Sequence, residues 1–190
     1  MADSLAFNNE TLLYNNQYEL CYIPPIPIED EVTLGTQTWT NKNLAIDDGL
    51  GGIYTRTVNY GQGDVVEYYY TWDAANRVAN SIQGWHIPTN EDWNTLATFA
   101  GGSANAGTKL KSTYGWNQYN GEDTYGFSVF PAGLRGSNGT YENKGYIGYI
   151  WSNTKYTVEG NVYNCEFYTR ALHLDILRET AGCSVRLVKD

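Results

Sequence analysis

The strongest local signal in the 190-residue chain lies in residues 84–102, which read GWHIPTNEDWNTLATFAGG. Thr89 and Asp92 have the spacing of a capping box, with Asp where Glu is more usual. Apolar side chains follow at the i, i+3, i+4 and i+7 positions of one helix face: Trp93, Leu96, Ala97 and Ala100. Gly101-Gly102 supplies the glycine that commonly ends a helix. The stretch therefore predicts an amphipathic helix that begins just after Thr89.

A second helix and a hairpin are predicted upstream of this stretch. Tyr68–Trp72 is aromatic and typical of a strand, and Asp73 is the predicted N-cap of a short helix that reaches about Asn80. Residues 32–40 have the pattern of a β-hairpin, with Gly35-Thr36 at the turn.

Downstream of about Tyr125 the apolar residues alternate with a period of two, which is the strand period. The predicted strands are Phe127–Phe130, Tyr146–Trp151, Tyr163–Leu174 and Ser184–Val188. Two helices followed by a cluster of strands predict an α+β domain with an antiparallel sheet. We expect Trp85, Trp93 and Phe127 to lie in its core.

The negative charge is concentrated near the start of the sequence. Asp plus Glu number 21 and Lys plus Arg number 12, which gives a formal net charge of -9. The first basic residue is Lys42, and these acidic residues precede it: Asp3, Glu10, Glu19, Glu29, Asp30 and Glu31. We interpret residues 1–31 as an acidic arm or linker, in which the prolines of residues 24–27 favour extended polyproline conformation. Residues 32–190 are interpreted as one domain.

The composition argues against several classes of function. An acidic chain without a basic cluster does not suit nucleic acid or anionic lipid. No run approaches the roughly 18–20 apolar residues that span a membrane. Residues 1–14 lack the regions of a signal peptide, so we expect either no export or a signal that was removed. Three Cys and two His exclude zinc fingers and multi-disulfide scaffolds, and Cys165 and Cys183 could form a disulfide or remain buried thiols.

Seven segments occur in a distinctive order: VTLGTQTW (32–39), GWHIPT (84–89) with Trp93, GTKLK (107–111), YGFS (125–128), PAGLR (131–135), WS (151–152) and SVRLV (184–188). Together they resemble the Fibrobacter succinogenes major paralogous domain, a family of secreted or surface domains in gut Bacteroidetes and their relatives. The GWHIPT segment is also similar to one in formylglycine-generating-enzyme-like proteins. The resemblance implies a C-type-lectin-like fold, with two helices and a twisted antiparallel sheet that carries a variable ligand face.

The chain departs from the family pattern at its cysteines. The family often has a Cys four residues before the GWH motif and another in the final strand, and neither is present here. Cys183 stands where the family usually has Phe. A family disulfide between those two positions would therefore be missing, which weakens the argument for export.

No motif in the sequence predicts catalysis. A Ser-His-Asp order, HExxH and a P-loop are absent. Formylglycine-generating enzymes hold copper with a close pair of cysteines, whereas 17 residues separate Cys165 from Cys183. His86 is expected to hydrogen-bond to backbone beside the helix start, and His173 is expected in a strand. We therefore expect a noncatalytic protein that needs no cofactor.

Residues 141–178 are rich in Tyr and Asn, which combine rigid contact area with adaptable hydrogen bonding. The candidate ligand-binding residues are Tyr146, Tyr149, Trp151, Asn153, Tyr156, Asn164, Glu166, Tyr168, Arg170, His173, Asp175 and Arg178. Strand alternation predicts that the even-numbered residues from 164 to 170 face a ligand and the odd-numbered residues from 163 to 169 face the core. The alternative is an aromatic sheet with a solvated outer face.

The resemblance also implies a source of variation. Variable proteins of diversity-generating retroelements have a C-type-lectin-like domain, in which template adenines are mutated so that Asn codons become Tyr, Ser, Asp, His or Cys. The diversified stretch lies just before a terminal strand, as the Tyr/Asn-rich stretch here precedes Gly182–Val188. This implies a receptor-binding domain on a bacterial cell surface or a phage fibre tip, with a protein or glycan as ligand.

A calcium-dependent glycan-binding lectin is the alternative function. Trp151 and the tyrosines could stack on sugar rings, and Asp47-Asp48 or Glu122-Asp123 could supply oxygen ligands to calcium. Neither pair lies in a recognisable calcium loop, so we expect both to be solvated turns.

Overall fold

The computed structural model describes residues 11–14, 20–23 and 30–190 of the chain. Within these ranges the helices are α1 (Trp72–Ala79), α2 (Asn90–Phe99) and α3 (Ser103–Leu110). The strands are β1 (Thr11–Tyr14), β2 (Leu20–Ile23), β3 (Glu31–Leu34), β4 (Gln37–Thr40), β5 (Ile53–Asn59), β6 (Asp64–Tyr70), β7 (Trp85–His86), β8 (Leu134–Arg135), β9 (Tyr141–Glu142), β10 (Gly148–Lys155), β11 (Asn161–Tyr168), β12 (Ala171–Arg178) and β13 (Val188–Lys189). The structure is a mixed α+β arrangement of several small antiparallel sheets. No helix in these ranges is long and apolar enough to cross a membrane.

The first and last strands of the domain lie in the same sheet. Its strand order is β3-β4-β13-β7, and Val188 of β13 pairs with both Trp39 and His86. The predicted hairpin over residues 32–40 is confirmed as β3 and β4. Gly35 in its turn has a φ of 65°, a conformation that glycine adopts without strain.

The sheet of β10, β11 and β12 is extended on one side by the C-terminal segment. The backbone N–H of Ser184 donates to the carbonyl of Tyr149 at 3.0 Å, and the N–H of Trp151 donates to the carbonyl of Ser184 at 3.1 Å. Cys183 exchanges two backbone hydrogen bonds with Tyr70 at the end of β6. The segment at 183–184 therefore links β6 to β10.

Helix α2 forms as its local sequence predicts. Thr89 accepts from the backbone of Asp92 at 3.2 Å, and the Asp92 carboxylate accepts from the backbone of Thr89 at 2.9 Å, which completes the capping box. At the other end, Gly101 and Gly102 donate to carbonyls of the last turn in a Schellman arrangement. The predicted apolar stripe is buried: Trp93, Leu96, Ala97 and Ala100.

The other two helices differ from expectation. The N-cap of α1 is Thr71, whose hydroxyl accepts from the backbone of Ala74, so the prediction of Asp73 as the cap is wrong. Asp73 instead lies in the first turn, where its charge suits the helix dipole. Helix α3 was not expected, because its short, Gly-containing sequence has no polar N-cap side chain and weak intrinsic helix propensity. The expectation of two helices is therefore wrong.

Three of the strand predictions differ from the structure. Tyr163–Leu174 is two strands, β11 and β12, joined by a turn at Thr169-Arg170, where Thr169 has a φ of 47°. Phe127–Phe130 is not a strand, since it makes only an isolated bridge through Val129. Most of residues 184–188 is irregular or bridge structure, and regular pairing begins at Val188.

Two clusters of buried side chains form the core. One joins α2 and α3 to one face of the β10–β12 sheet, and the other joins α1 to the C-terminal segment. Trp93 and Phe127 are fully buried as predicted, whereas Trp85 is only half-buried at the edge of the second cluster. Cys165 and Cys183 are buried free thiols, so the disulfide alternative is not realised.

Part of the N-terminal arm has regular structure. β1 and β2 pair as antiparallel strands, with Thr11 opposite Ile23. The sequence did not predict this hairpin. The predicted polyproline conformation of residues 24–27 falls outside the described residues.

Candidate ligand-binding surface

The two faces of the β10–β12 sheet have different surroundings, because residues directly opposite in neighbouring strands share a face. One face packs against α2 and α3 through Ile150, Cys165, Phe167 and Leu172. The opposite face is called the acidic–aromatic face, and its residues are Tyr149, Trp151, Asn164, Glu166, Tyr168, His173 and Asp175.

The turn between β11 and β12 is fixed against α3. A Cβ on Gly107 would lie 2.4 Å from the carbonyl oxygen of Ala171, so glycine is required for this close approach. The ammonium of buried Lys111 donates to the carbonyl of Thr169 at 2.5 Å and lies 4.0 Å from the centre of the Trp116 ring. Burial lowers the pKa of Lys111 to about 8. These supporting roles were missed, although both residues lie in the quoted GTKLK segment.

Three of the predicted ligand contacts on the acidic–aromatic face lie in the interior. Trp151 and Asn164 are 0% exposed and Tyr149 is 5% exposed. The Trp151 indole donates to the carbonyl of Tyr70 at 2.6 Å, and the Tyr149 hydroxyl accepts from the Asn143 amide at 2.7 Å. Their side chains therefore belong to the core, contrary to the expectation that they face a ligand.

Four neighbouring side chains form the accessible part of this face, called the exposed quartet: Glu166, Tyr168, His173 and Asp175. Glu166 and Tyr168 are half-buried, and His173 and Asp175 are exposed. The rings of Tyr168 and His173 stack with their centroids 4.8 Å apart and their planes 20° apart. The quartet therefore combines a flat ring pair with two carboxyl groups on adjacent strands.

Burial raises the pKa of Glu166 to about 7, and the charge of Asp175 adds to this effect. At neutral pH the Glu166 carboxyl therefore exists in both protonation states and can donate or accept a hydrogen bond. Beside it in β11, neither polar atom of the Asn164 amide has a hydrogen-bond partner in the described part of the chain. The quartet thus lies next to a buried amide whose hydrogen-bonding groups have no partner in the described residues.

The remaining predicted contacts do not join this surface. Tyr146 is exposed in the turn before β10, and Asn153 is exposed near the other end of that strand. Tyr156 follows β10. Arg170 lies in the β11–β12 turn, so the predicted alternation of residues 164–170 stops at Tyr168. Arg178 alternates onto the opposite face of β12. The structure gathers only part of the predicted set.

His86 is held by carboxylates and not by backbone as expected. Its Nδ1 lies 2.7 Å from Oδ1 of Asp190, and its Nε2 lies 3.4 Å from Oδ2 of Asp92. Asp92 is the N3 residue of the α2 capping box, so His86 connects the helix start to Asp190. These two contacts indicate that His86 has a structural role.

The two acidic pairs considered for calcium have protein partners. Asp48 pairs with Arg77 at 2.6 Å and 3.1 Å, and Asp47 accepts from a backbone N–H in its own turn. Asp123 accepts from the backbone and hydroxyl of Ser128. Among the described residues, no three His, Cys, Asp or Glu side chains are grouped so that they could hold a metal ion.

Comparison with known proteins gives one match. No curated protein and no solved structure matches the chain. The family model described as the Fibrobacter succinogenes major domain matches residues 32–189, which include every element from β4 to β13 and most of β3. The chain therefore belongs to the Fibrobacter succinogenes major domain family.

Proposed function

We propose that residues 32–190 form a noncatalytic binding domain that recognises a protein or glycan on a cell surface through the exposed quartet. The observation that carries this proposal is the convergence of Glu166, Tyr168, His173 and Asp175 on one rigid sheet face. The turn next to them is fixed by Lys111 and Gly107, so little conformational entropy is lost when a ligand binds.

The ring pair supports recognition of a flat or apolar group. Tyr168 and His173 stack on each other, which leaves their two side chains few rotamers to lose. Tyrosine is a frequent binding hot spot because it offers a large contact area with few rotatable bonds. Sugar rings and peptide side chains both present surfaces that fit such a pair.

The buried thiols support a binding role over an oxidase role. A copper-binding or redox cysteine must be reached by its partner and must ionise. Cys165 and Cys183 are both 0% exposed, and burial raises the pKa of each thiol well above its usual value. The formylglycine-generating-enzyme-like alternative therefore gains no support from these two cysteines.

We further propose that the domain has a C-type-lectin-like fold and that a retroelement diversifies it. Two features support the fold: the first and last strands of the domain meet in one sheet, and the candidate surface lies on a different sheet. Diversification is supported by residue types, since Tyr168, His173 and Asp175 all belong to the set that mutated Asn codons encode. They precede Gly182–Val188, which is wholly buried.

The diversification proposal is tested in the surrounding DNA. We expect a near-repeat of codons 140–188 that differs at adenines, together with a reverse transcriptase gene. If neither is present the domain is not diversified, and the binding proposal then rests on the quartet alone.

The binding proposal is tested by applying the full chain to a glycan array and to a panel of purified surface-protein ectodomains. We expect a ligand whose affinity falls at least tenfold in the double variant Tyr168→Ala/His173→Ala. The matched control is Ile176→Ala, since Ile176 is 39% exposed on the opposite face of β12. Equal affinity for both variants would show that the quartet is not the binding surface.

A further inference from the structure

A cavity lies apart from the β10–β12 sheet, and no residue of those strands lines it. Its volume is about 470 Å³, which is within the range of small-molecule sites. Its lining comes from residues 41–45, residues 65–68 of β6, residues 112–114, Asp123, Ser128, Phe130 and Arg186. It is called the Arg186 pocket after the residue at its base.

The walls of the Arg186 pocket are mainly apolar. Val65 and Val66 are 47% and 51% exposed, which is unusual for adjacent aliphatic residues in a strand. Tyr114 and Phe130 form an aromatic side, with their rings edge to face at 5.1 Å. A ligand body that is aromatic or aliphatic would remove this surface from water.

The cation at the base has few donors left for a ligand. Arg186 is 1% exposed, and its guanidinium donates to the Asn43 amide oxygen and to the carbonyls of Thr40, Phe127 and Ser128. These bonds use four of the five N–H groups that an arginine has. The pocket is therefore poorly suited to an anion.

Two buried polar groups of the lining are hydrogen-bond acceptors with capacity left for a ligand. The Glu67 carboxylate is 5% exposed and accepts from the Tyr60 hydroxyl at 3.0 Å and from the Asn43 amide at 3.3 Å, which leaves further lone pairs on both oxygens. The amide oxygen of Asn41 is buried in the lining and has no hydrogen-bond partner in the described part of the chain. Both groups favour a ligand that donates hydrogen bonds.

The formal charges of the lining balance, since it holds two carboxylates and two cations, but these groups differ in their partners. Glu67 and Asp123 both line the pocket, and neither takes part in an ion pair within residues 30–190. Arg186 is bound to neutral acceptors, and Lys42 is a largely exposed residue that pairs with Asp30 at 2.6 Å. Glu67 therefore lines the pocket without a direct cationic partner, whereas both carboxylate oxygens of Asp123 already accept hydrogen bonds from Ser128.

We propose that the Arg186 pocket binds a small organic cation, with an ammonium head on an aromatic or aliphatic body. The ammonium donates to Glu67 and to the Asn41 amide oxygen, while the body packs against Val66 and Tyr114. An ammonium beside an aromatic ring gains a cation–π contribution as well. This site is independent of the exposed quartet.

Calorimetry with three probes of similar shape tests the charge selectivity: phenethylamine, phenethyl alcohol and 3-phenylpropionate. We expect the full chain to bind the amine most tightly and the carboxylate at least tenfold more weakly. The proposal is overturned if the carboxylate binds as tightly as the amine, or if none of the three probes binds.

A pair of variants tests the location. Val66→Lys places a covalent ammonium at the wall, so we expect phenethylamine affinity to fall at least tenfold. Val158→Lys is the matched control, because Val158 is 57% exposed and does not line the pocket. Equal loss in both variants, or no loss in Val66→Lys, would place the amine elsewhere and contradict the proposal.

Discussion

The two faces of β11 differ in their surroundings: one packs in the core, and the other carries the surface proposed for recognition. Phe167 is 0% exposed and packs against α2, with its ring 6.0 Å from that of Trp93. Its neighbour Tyr168 turns to the acidic–aromatic face, where it is half-buried and stacks on His173. Because strand alternation separates the two environments by one residue, substitutions at adjacent positions should separate stability from binding.

The largest effect is expected in the helix that packs against the inner face. Trp93→Ala should lower the free energy of unfolding by about 3–5 kcal/mol, because Trp93 is fully buried against Trp39 and Phe167. Urea denaturation measures this loss. Thr95→Ala, at an exposed position of the same helix, should stay within about 0.5 kcal/mol. Equal midpoints for the two variants would contradict the burial of Trp93.

A smaller loss is expected where α3 meets the β11–β12 turn. Gly107→Ala should cost about 1–3 kcal/mol, since the new Cβ would lie 2.4 Å from a backbone oxygen and the strand must shift. The control is Asn105→Ala, which is exposed on the same helix. If denaturation shows Gly107→Ala to be as stable as its control, then α3 does not fix the turn.

Removing one hydroxyl from the buried part of the acidic–aromatic face should lower the free energy of unfolding. Tyr149→Phe removes the acceptor that Asn143 uses and should cost about 0.5–1.5 kcal/mol in urea denaturation. Tyr168→Phe removes a hydroxyl for which no protein hydrogen bond is seen in residues 30–190, so we expect almost no change. The reverse order would show that Tyr168, and not Tyr149, is the interior residue.

The smallest effect is a pH dependence from Glu166. Because burial, and then Asp175, raise its pKa from 4.5 to about 7, the folded state holds a proton that the unfolded state releases. This contribution to stability is full below about pH 4.5 and is lost as the pH rises to about 7. Glu166→Gln lacks it, so the Tm of the wild type relative to the variant should fall between pH 5 and pH 8.

The control for this titration is Glu159→Gln, which changes an exposed carboxylate outside the quartet. Its Tm difference from the wild type should not change over the same range. A Glu166→Gln difference that is constant with pH would show that Glu166 has an ordinary environment.

Local features of the sequence predicted local features of the structure. The capping box at Thr89 and Asp92 and the hairpin turn at Gly35 depend on residues within a few positions of each other, and both are confirmed. The end of β11 was missed because Thr169-Arg170 contains none of the Gly, Pro, Asn or Asp that usually mark a turn. Its backbone is held by Lys111, 58 residues away.

The candidate surface was only partly predictable for the same reason. Period two correctly placed Glu166 and Tyr168 on a common face, but it could not show which part of that face is covered. Trp151 is buried, and its indole donates to the carbonyl of Tyr70, which lies 81 residues away in the sequence. The Arg186 pocket, whose walls come from separate parts of the chain, has no sequence signature at all.

The most direct test of the division between the two faces is equilibrium unfolding of the neighbouring variants Phe167→Ala and Tyr168→Ala. We predict a loss of about 3–5 kcal/mol for Phe167→Ala and of at most about 1 kcal/mol for Tyr168→Ala. Equal losses, or a larger loss for Tyr168→Ala, would contradict the assignment of folding to one face and recognition to the other.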